Sequence, residues 1–209
     1  DVYKRQRTYN THVFMNKYWL EEIEKAIQHL ELPREPNTLY DPFRYTMDMG
    51  GKRIRPYLTL LASGIASGRH KNAIQAALAI EILHNFTLVH DDIMDQANTR
   101  RGFACVHKKW DSNMAILSGD VMYVYAFQQL VYYGKNEYIG TKAFHALMDI
   151  FVQATIKVCD GQALDMELMQ RKKVQVHQYF RMIEGKTGAL LSAALGLGAI
   201  VGGRLDLLS

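Results

Sequence analysis

Three aspartates lie within five residues near the middle of the chain, at Asp91, Asp92 and Asp95. Carboxylates this close repel one another unless a positive charge neutralises them. At about 3.6 residues per helical turn, Asp91 and Asp95 share one helix face while Asp92 is rotated by about 100°. Two carboxylates one turn apart suit Mg²⁺, which takes one or two carboxylates and completes its shell with water and phosphate oxygens. We predict a magnesium site here with Asp92 in an outer position; a solvated acidic helix end is the competing interpretation.

A histidine lies upstream on the same predicted helix. His84, Leu88, Asp91 and Asp95 follow the spacing i, i+4, i+7, i+11 of a single helix face. With about 1.5 Å of rise per residue, His84 is expected roughly 10 Å from Asp91 along one wall of a cavity. An exposed or hydrogen-bonded structural histidine is the simpler interpretation.

A glycine turn with three cations, GGKRIRP, occupies residues 50–56 and precedes a predicted helix start. Glycines let the backbone approach a ligand, Lys52 supplies a point charge, and arginines such as Arg55 supply two-pronged donors. The segment is therefore a candidate cradle for a diphosphate. Taken alone, such a basic turn is usually a solvated loop.

Three further pairs of polar residues could face the same cavity: Arg100 with Arg101, Lys186 with Thr187, and Gln162 with Asp165. The arginines directly follow the aspartates. The lysine and threonine fall at a predicted helix junction, where an ammonium and a hydroxyl could hold a phosphate. The third pair is spaced i, i+3 on a helix face. Each pair alone is well explained as ordinary surface, but together with the aspartates and the cradle they describe a site for two diphosphates.

Helices must position these residues. Apolar residues recur at three- and four-residue spacing almost throughout, without convincing two-residue alternation, so we predict an all-α bundle with no strands. The predicted helices cover residues 13–30, 38–49, 56–68, 71–95, 112–133, 137–170, 175–185 and 187–202, with a loop at 98–102. In the longest of them, one apolar stripe from Ile74 to Ile93 lies opposite the polar face. No repeat or linker divides residues 1–209, so we predict a single domain.

Composition narrows the class of protein. The 209 residues are 48% hydrophobic and carry a formal charge of +4. Because the basic residues are scattered, we predict no nucleic-acid partner. Cys105 and Cys159 form no paired motif, which favours a reducing, cytoplasmic location over a disulfide framework. The uncharged run from Thr187 to Gly203 is short and rich in glycine, so we expect a buried bundle helix rather than stable membrane insertion.

The motifs, taken in order, resemble those of the trans-isoprenyl diphosphate synthase family, also called polyprenyl synthetases. The matching stretches are GGKRIRP (50–56), EILHNFTLVHDDIMD (81–95), TRRG (99–102), LSGD (117–120), GQALD (161–165) and GKTG (185–188). The resemblance implies a single-domain bundle of mostly antiparallel helices around a central pocket, of the class I isoprenoid synthase type and usually a homodimer. It also implies an enzyme that joins isopentenyl diphosphate head to tail with an allylic diphosphate, with Mg²⁺ as cofactor.

The resemblance also implies roles for individual residues. The isopentenyl diphosphate pocket would be formed by Lys52, Arg55, His84 and Arg101. Magnesium would bind at Asp91, Asp92 and Asp95. The allylic diphosphate would contact Arg100, Lys186 and Thr187, with Gln162 and Asp165 as a helper pair. The implied chemistry is ionisation of the allylic C–O bond, attack by the isopentenyl double bond, and loss of a proton to the departing diphosphate.

Product length in this family depends on the depth of the pocket below the aspartates. Phe86 lies five residues before Asp91, where a bulky aromatic tends to floor the pocket and favour short farnesyl or geranylgeranyl products. Simple core packing is the alternative interpretation of Phe86.

One departure from the family pattern bears on activity. A second aspartate-rich motif is expected on a later helix, and none occurs before Ser209. We therefore expect a C-terminally incomplete domain, with weak or no catalysis by the 209-residue chain. A non-catalytic regulatory subunit of a heteromeric prenyl synthase is the main alternative, although it would not need the full acidic and basic set. A terpene cyclase would not use the cradle or His84, and a plain helical binding module would show no magnesium-dependent affinity for diphosphates.

Overall fold

The computed structural model of the chain describes residues 15–135 and 139–208. Its α-helices are α1 (Lys17–Gln28), α2 (Asn37–Asp48), α3 (Ile54–Ser67), α4 (Ile74–Met94), α5 (Val106–Lys109), α6 (Ser112–Lys135), α7 (Thr141–Met169), α8 (Val176–Ile183) and α9 (Ala189–Val201). Short 3₁₀ turns cover His70–Ala73 and Leu205–Leu208, and a π turn covers Glu184–Gly188. The all-helical prediction is confirmed in outline. The helix starts predicted at residues 13 and 137 lie outside the described residues.

Helix α4 forms the centre of the bundle. It packs most extensively against α6, and it also contacts α3, α9, α1 and α2. Its first half is buried on every side, with Ala76, Ala79, Ile80 and Leu83 fully enclosed. The polar face predicted for this helix begins at His84, in its second half, and neighbouring helices cover the first half all round. Its last three turns, from His84 to Met94, open onto a cavity.

The structure corrects the prediction that the fold has no strands. Thr99–Arg100 (β1) pairs antiparallel with Phe103–Ala104 (β2), so residues 98–102 are not simply a loop. The two connecting residues, Arg101 and Gly102, both have positive φ, at 54° and 85°. That pattern belongs to the type I′ turn, which matches the twist of a tight hairpin. Two-residue strands are too short to produce the alternation that marks a strand in sequence.

Lys186 and Thr187 lie within a continuous helical segment rather than at a junction between two helices. Helix α8, the π turn and α9 follow one another without a break. A π turn inserts one extra residue into a helix and changes the direction of the side chains around it. Gly161 of α7 packs directly on this turn. A Cβ at Gly161 would lie only 2.6 Å from the carbonyl carbon of Gly185, so the contact leaves no room for a side chain. The close approach brings α7 against the segment that carries Lys186.

Helix α9 accounts for most of the uncharged run near the end of the chain. Leu190, Ala194, Leu197 and Ile200 on this helix are buried, and α9 packs against α3 and α7. The helix is 13 residues long. Among the described residues, none of the helices has both the length and the apolar character that a membrane crossing needs.

Candidate functional site

A cavity of about 360 Å³ opens between the ends of α3, α4 and α7 and the π turn. Among the predicted site residues, those in its lining are Arg55, His84, Phe86, Asp91, Gln162, Lys186 and Thr187. These residues come from four separate stretches of the chain. A larger groove of about 810 Å³ lies elsewhere, between α3, α7 and α9, and contains none of the predicted site residues.

One end of the cavity combines carboxylates with an ammonium group. Lys186 Nζ lies 2.6 Å from an Asp165 oxygen and 3.4 Å from an Asp91 oxygen. Burial alone would lower the pKa of Lys186, but the hydrogen bond to Asp165 and the charge of Asp91 outweigh it and raise that pKa. Lys186 is therefore a permanent cation at neutral pH. The structure joins α4, α7 and the π turn at this point.

Asp92, the second aspartate of the cluster, forms an ion pair within the protein. Asp92 is buried and accepts hydrogen bonds from Arg100, with Nε at 2.8 and 3.0 Å from its two oxygens and a terminal nitrogen at 2.6 Å. The same guanidinium group lies 3.9 Å from Asp91. The hydrogen bond with Asp92 raises the pKa of Arg100. This geometry places Asp92 away from the cavity, as helical spacing predicts, and holds Arg100 within 3.9 Å of Asp91, which lines the cavity.

Asp95 is the least neutralised of the three aspartates. Asp95 is exposed, and none of the described residues forms a hydrogen bond or ion pair with its side chain. Partial desolvation and then the negative charge of Asp91 raise its pKa, although the charge of Lys186 opposes them. Residues 15–135 and 139–208 contain no cluster of three His, Cys, Asp or Glu able to hold a metal ion by themselves. Magnesium needs only one or two carboxylates when phosphate and water oxygens complete its shell. Asp91 and Asp95 thus fit a substrate-assisted magnesium site.

The opposite end of the cavity is basic. A terminal nitrogen of Arg55 lies 3.2 Å from His84 Nε2. Burial, and then the positive charge of Arg55, lowers the pKa of His84 from 6.5 to about 3. His84 is therefore neutral at physiological pH and accepts a hydrogen bond from Arg55. The buried Nε of Arg55 has no hydrogen-bond partner within the described part of the chain. Such an unpaired donor is costly unless a ligand accepts its hydrogen bond.

The glycine turn delivers its cations to different places. Arg101 donates to the backbone oxygen of Gly50, and its guanidinium group covers Gly51, where a Cβ would lie 3.1 Å away. Lys52 lies on the other side of the turn and lines a separate depression of about 390 Å³ against α1. Arg53 points inward and is buried. The prediction that the three cations of this turn form one cradle is therefore corrected. Of Lys52, Arg53 and Arg55, Arg55 alone lines the cavity of about 360 Å³.

The inner end of the cavity is aromatic and apolar. Phe86 packs edge-on against His90, with ring centroids 4.7 Å apart, and against Tyr123 of α6 at 5.3 Å. Val158 and Leu190 complete the wall. Phe86 thus belongs both to the cavity lining and to the packing behind it.

Several residues of the site were not predicted from the sequence. His90 and Cys159 line the cavity, and Glu81 forms a buried ion pair beneath its basic end. Glu81 had a readable signal, since it is a lone charge within the apolar run AIEIL and a buried charge requires a partner. The sequence signal for His90 was weaker. It consists of Gly119, whose position has no room for a side chain because a Cβ there would overlap the His90 ring.

Known proteins with similar sequences are prenyl diphosphate synthases by name. A geranylgeranyl diphosphate synthase from Methanosarcina mazei is 41% identical over 184 residues, which are 88% of this chain and 56% of that protein. A geranylfarnesyl diphosphate synthase from Natronomonas pharaonis is 34% identical over 202 residues, covering 89% of this chain and 58% of that one. The chain therefore spans about half the length of the curated relatives it matches.

A solved structure and a family model agree with these relatives. The structure of a geranylgeranyl pyrophosphate synthetase from the archaeon Geoglobus acetivorans superposes with a TM-score of 0.79 at 36% identity, covering 90% of this chain and 59% of that one. The family model for polyprenyl synthetase matches residues 36–207. That range contains every predicted site residue, from the glycine turn to the π turn. The chain belongs to the polyprenyl synthetase family.

Proposed function

We propose that the chain forms the substrate sites of a magnesium-dependent prenyltransferase that joins isopentenyl diphosphate head to tail with an allylic diphosphate. One observation carries this proposal: a single cavity is lined by Arg55 and His84 at one end and by Asp91 and Lys186 at another, with apolar walls below. Two separate charged ends fit two diphosphates. An apolar interior fits the hydrocarbon parts of both substrates.

The charges suit the individual steps of such a reaction. Lys186 and Arg100 neutralise the diphosphate as the allylic C–O bond breaks, because fixed cations stabilise developing negative charge. Magnesium held by Asp91 and Asp95 would supply further positive charge against the same group. The apolar walls exclude water, so the allylic cation alkylates the isopentenyl double bond rather than hydrolysing. The proton then passes to the departing diphosphate.

The isopentenyl substrate is assigned to the basic end of the cavity. Arg55 has an unused buried donor, and neutral His84 fixes its guanidinium group without adding charge. Arg101 lies across the glycine turn from Arg55. We assign Lys52 to the outer side of this site, since it lines the neighbouring depression.

We propose short products, farnesyl or geranylgeranyl diphosphate. The position of Phe86 against Tyr123 and His90, at the inner end of a cavity of about 360 Å³, supports this proposal. One relative is named for geranylgeranyl diphosphate, and another is named for geranylfarnesyl diphosphate, which is one isoprene unit longer.

We further propose a cytoplasmic, single-domain protein that functions as a homodimer. Supporting the single domain, one hydrophobic cluster runs from α1 to α9. Supporting the dimer, α6 exposes Leu117, Val124 and Val131 at seven-residue spacing, on one face of the helix. A second copy of the chain is the partner that would cover this stripe.

Titration calorimetry tests the proposed sites on the 209-residue chain. Isopentenyl diphosphate and a non-hydrolysable farnesyl thiodiphosphate are titrated separately, each with Mg²⁺ and with chelator. We expect both to bind, with only the allylic analogue requiring Mg²⁺. A regulatory subunit or a plain helical module would bind neither, and that result would overturn the proposal. Product analysis with labelled isopentenyl diphosphate then reports chain length wherever turnover is measurable.

A further inference from the structure

A buried ion pair lies directly beneath the glycine turn. A terminal nitrogen of Arg53 lies 2.7 Å from Glu81 Oε1, and the two side chains are 2% and 3% exposed. Arg53 Nε also donates to Glu24 at 2.8 Å, and a second terminal nitrogen donates to the backbone oxygen of Met47 at 3.0 Å. The guanidinium group therefore ties α1, α2 and α4 together from a single point on the turn.

The backbone of the turn needs such an anchor. Gly50, Gly51 and Arg53 all have positive φ, at 71°, 150° and 50°. Glycine adopts these angles freely, but a residue with a Cβ in the left-handed region is strained. Strain of this kind persists only where surrounding contacts hold the conformation. At Arg53, these contacts are the hydrogen bonds of its own side chain.

Both walls of the basic end are attached to this pair. Arg55 follows Arg53 by two residues on the turn, and His84 follows Glu81 by three residues on α4. Asn85, one turn after Glu81, donates at 3.2 Å to Glu81 Oε1, the same oxygen that accepts from Arg53, and helps to fix the carboxylate. The Arg53–Glu81 pair therefore sets the separation between the chain segment that carries Arg55 and the helix that carries His84.

We propose that Arg53 and Glu81 are positioning residues for the isopentenyl diphosphate site, which hold the turn so that Arg55 meets His84. Neither side chain lines the cavity, so neither touches the substrate. The inference rests on the proposed function, because it assigns a supporting pair to one of its two substrate sites. It predicts a selective effect: loss of the pair weakens the basic site and leaves the magnesium-dependent allylic site intact.

The test variant is Arg53→Lys, which keeps the positive charge and removes the planar fork. The guanidinium group of Arg53 donates to Glu24, Glu81 and the backbone oxygen of Met47 at once, and a single lysine ammonium cannot make all of these hydrogen bonds. We expect the affinity for isopentenyl diphosphate to fall by about tenfold or more, since small displacements of a binding group are costly. The affinity for farnesyl thiodiphosphate with Mg²⁺ should stay within about twofold, because distant sites behave independently. Titration calorimetry on the folded variant measures both.

The matched control is Glu24→Gln, which alters the exposed partner of Arg53 and leaves the buried pair in place. Glu24 is 43% exposed, so we expect either ligand's affinity to change by less than about twofold. Equal binding of isopentenyl diphosphate by wild type and Arg53→Lys would overturn the inference. A parallel loss for both ligands would also overturn it, because that is the result of a merely structural role.

A second variant covers the case in which Arg53→Lys does not fold. Glu81→Gln keeps an oxygen for Arg53 but removes the buried negative charge. Positioning predicts weaker binding of isopentenyl diphosphate, whereas a purely electrostatic role for Glu81 predicts tighter binding, since one negative charge near a cationic site is lost. Tighter or unchanged binding contradicts the inference alone. Absence of binding by the wild-type chain would overturn the proposed function, and the inference with it.

Discussion

His84 shows how a neighbouring charge determines what a single residue can do. The ring is buried beside Arg55, and its pKa falls from 6.5 to about 3. In the unfolded chain it takes up a proton near pH 6.5, while in the folded chain it stays neutral. Between these two values the unfolded state binds more protons, so the stabilising contribution is complete above pH 6.5 and is lost as the pH falls.

We therefore predict that acidification below pH 6.5 destabilises the wild-type chain more than a His84→Gln variant. The difference should grow by up to about 1.4 kcal/mol per pH unit, the limit for one proton. Urea unfolding of both proteins at several pH values between 7.5 and 5, spanning the ordinary histidine pKa, measures it. Identical acid sensitivity of wild type and variant would contradict the neutral state of His84.

Asp91 has two roles at the acidic end of the cavity. It pairs with Lys186 in the structure and is a proposed magnesium ligand. We predict that Asp91→Asn weakens magnesium-dependent binding of farnesyl thiodiphosphate by about tenfold or more, because a neutral amide is a poor ligand for a hard cation. Asp149→Asn on the exposed side of α7 is the matched control and should bind normally. Calorimetry with and without Mg²⁺ separates the two, and normal magnesium-dependent binding by Asp91→Asn would remove Asp91 from the site.

Residue spacing predicted part of this site and not the rest. The separation of Asp91 and Asp95 from Asp92 follows from helical geometry alone, and the structure agrees. The sequence could not show that Arg53 is buried while Arg55 lines the cavity, because both are arginines of the same short segment. A left-handed backbone angle at Arg53 and a distant carboxylate on α4 decide which of them is buried.

At the scale of elements, the contact between α7 and the π turn fixes the position of Lys186. A Cβ at Gly161 would overlap the backbone nitrogen of Lys186. We predict that Gly161→Ala destabilises the chain by about 1–3 kcal/mol, the usual cost of overpacking. It should also weaken allylic diphosphate binding, since the backbone of Lys186 has to shift to admit the added methyl group. Thermal unfolding and calorimetry measure the two effects.

Gly188→Ala is the control from the same helical segment. A Cβ there would meet its nearest neighbour at 3.9 Å, an ordinary contact. Alanine is the better helix former by about 1 kcal/mol, so this variant should be as stable as wild type or more so. Equal melting temperatures for both variants would contradict the close packing at Gly161.

Element boundaries were predictable wherever periodicity was long. The helices predicted at 38–49 and 112–133 agree with α2 and α6 to within two residues. The hairpin at residues 99–104 escaped prediction because each of its strands is only two residues long, a single period of alternation. The π turn escaped because its residues, EGKTG, include no large apolar side chain whose spacing could reveal the shift in register.

At the scale of the whole molecule, the exposed stripe on α6 predicts self-association. Val124, at its centre, is 61% exposed. We predict that Val124→Glu converts a dimeric chain to a monomer, because a buried unpaired carboxylate is costly at an apolar interface. Val176→Glu on α8, 71% exposed and outside the stripe, should leave the dimer unchanged. Light scattering after size-exclusion chromatography gives the masses, and a monomeric wild-type chain would refute the proposed interface.

The rigid central helix has a consequence for how the cavity can vary in size. Phe86 and Asp91 are both on α4, so their separation along the axis is a count of residues multiplied by about 1.5 Å. Because the helical hydrogen bonds fix the rise per residue, this separation cannot change gradually. Moving the aromatic floor by one turn shifts it by about 5.4 Å, while moving it by one residue swings it away from the cavity by about 100°. The depth of the cavity in this fold can therefore change only in steps of whole helical turns of α4, and not continuously.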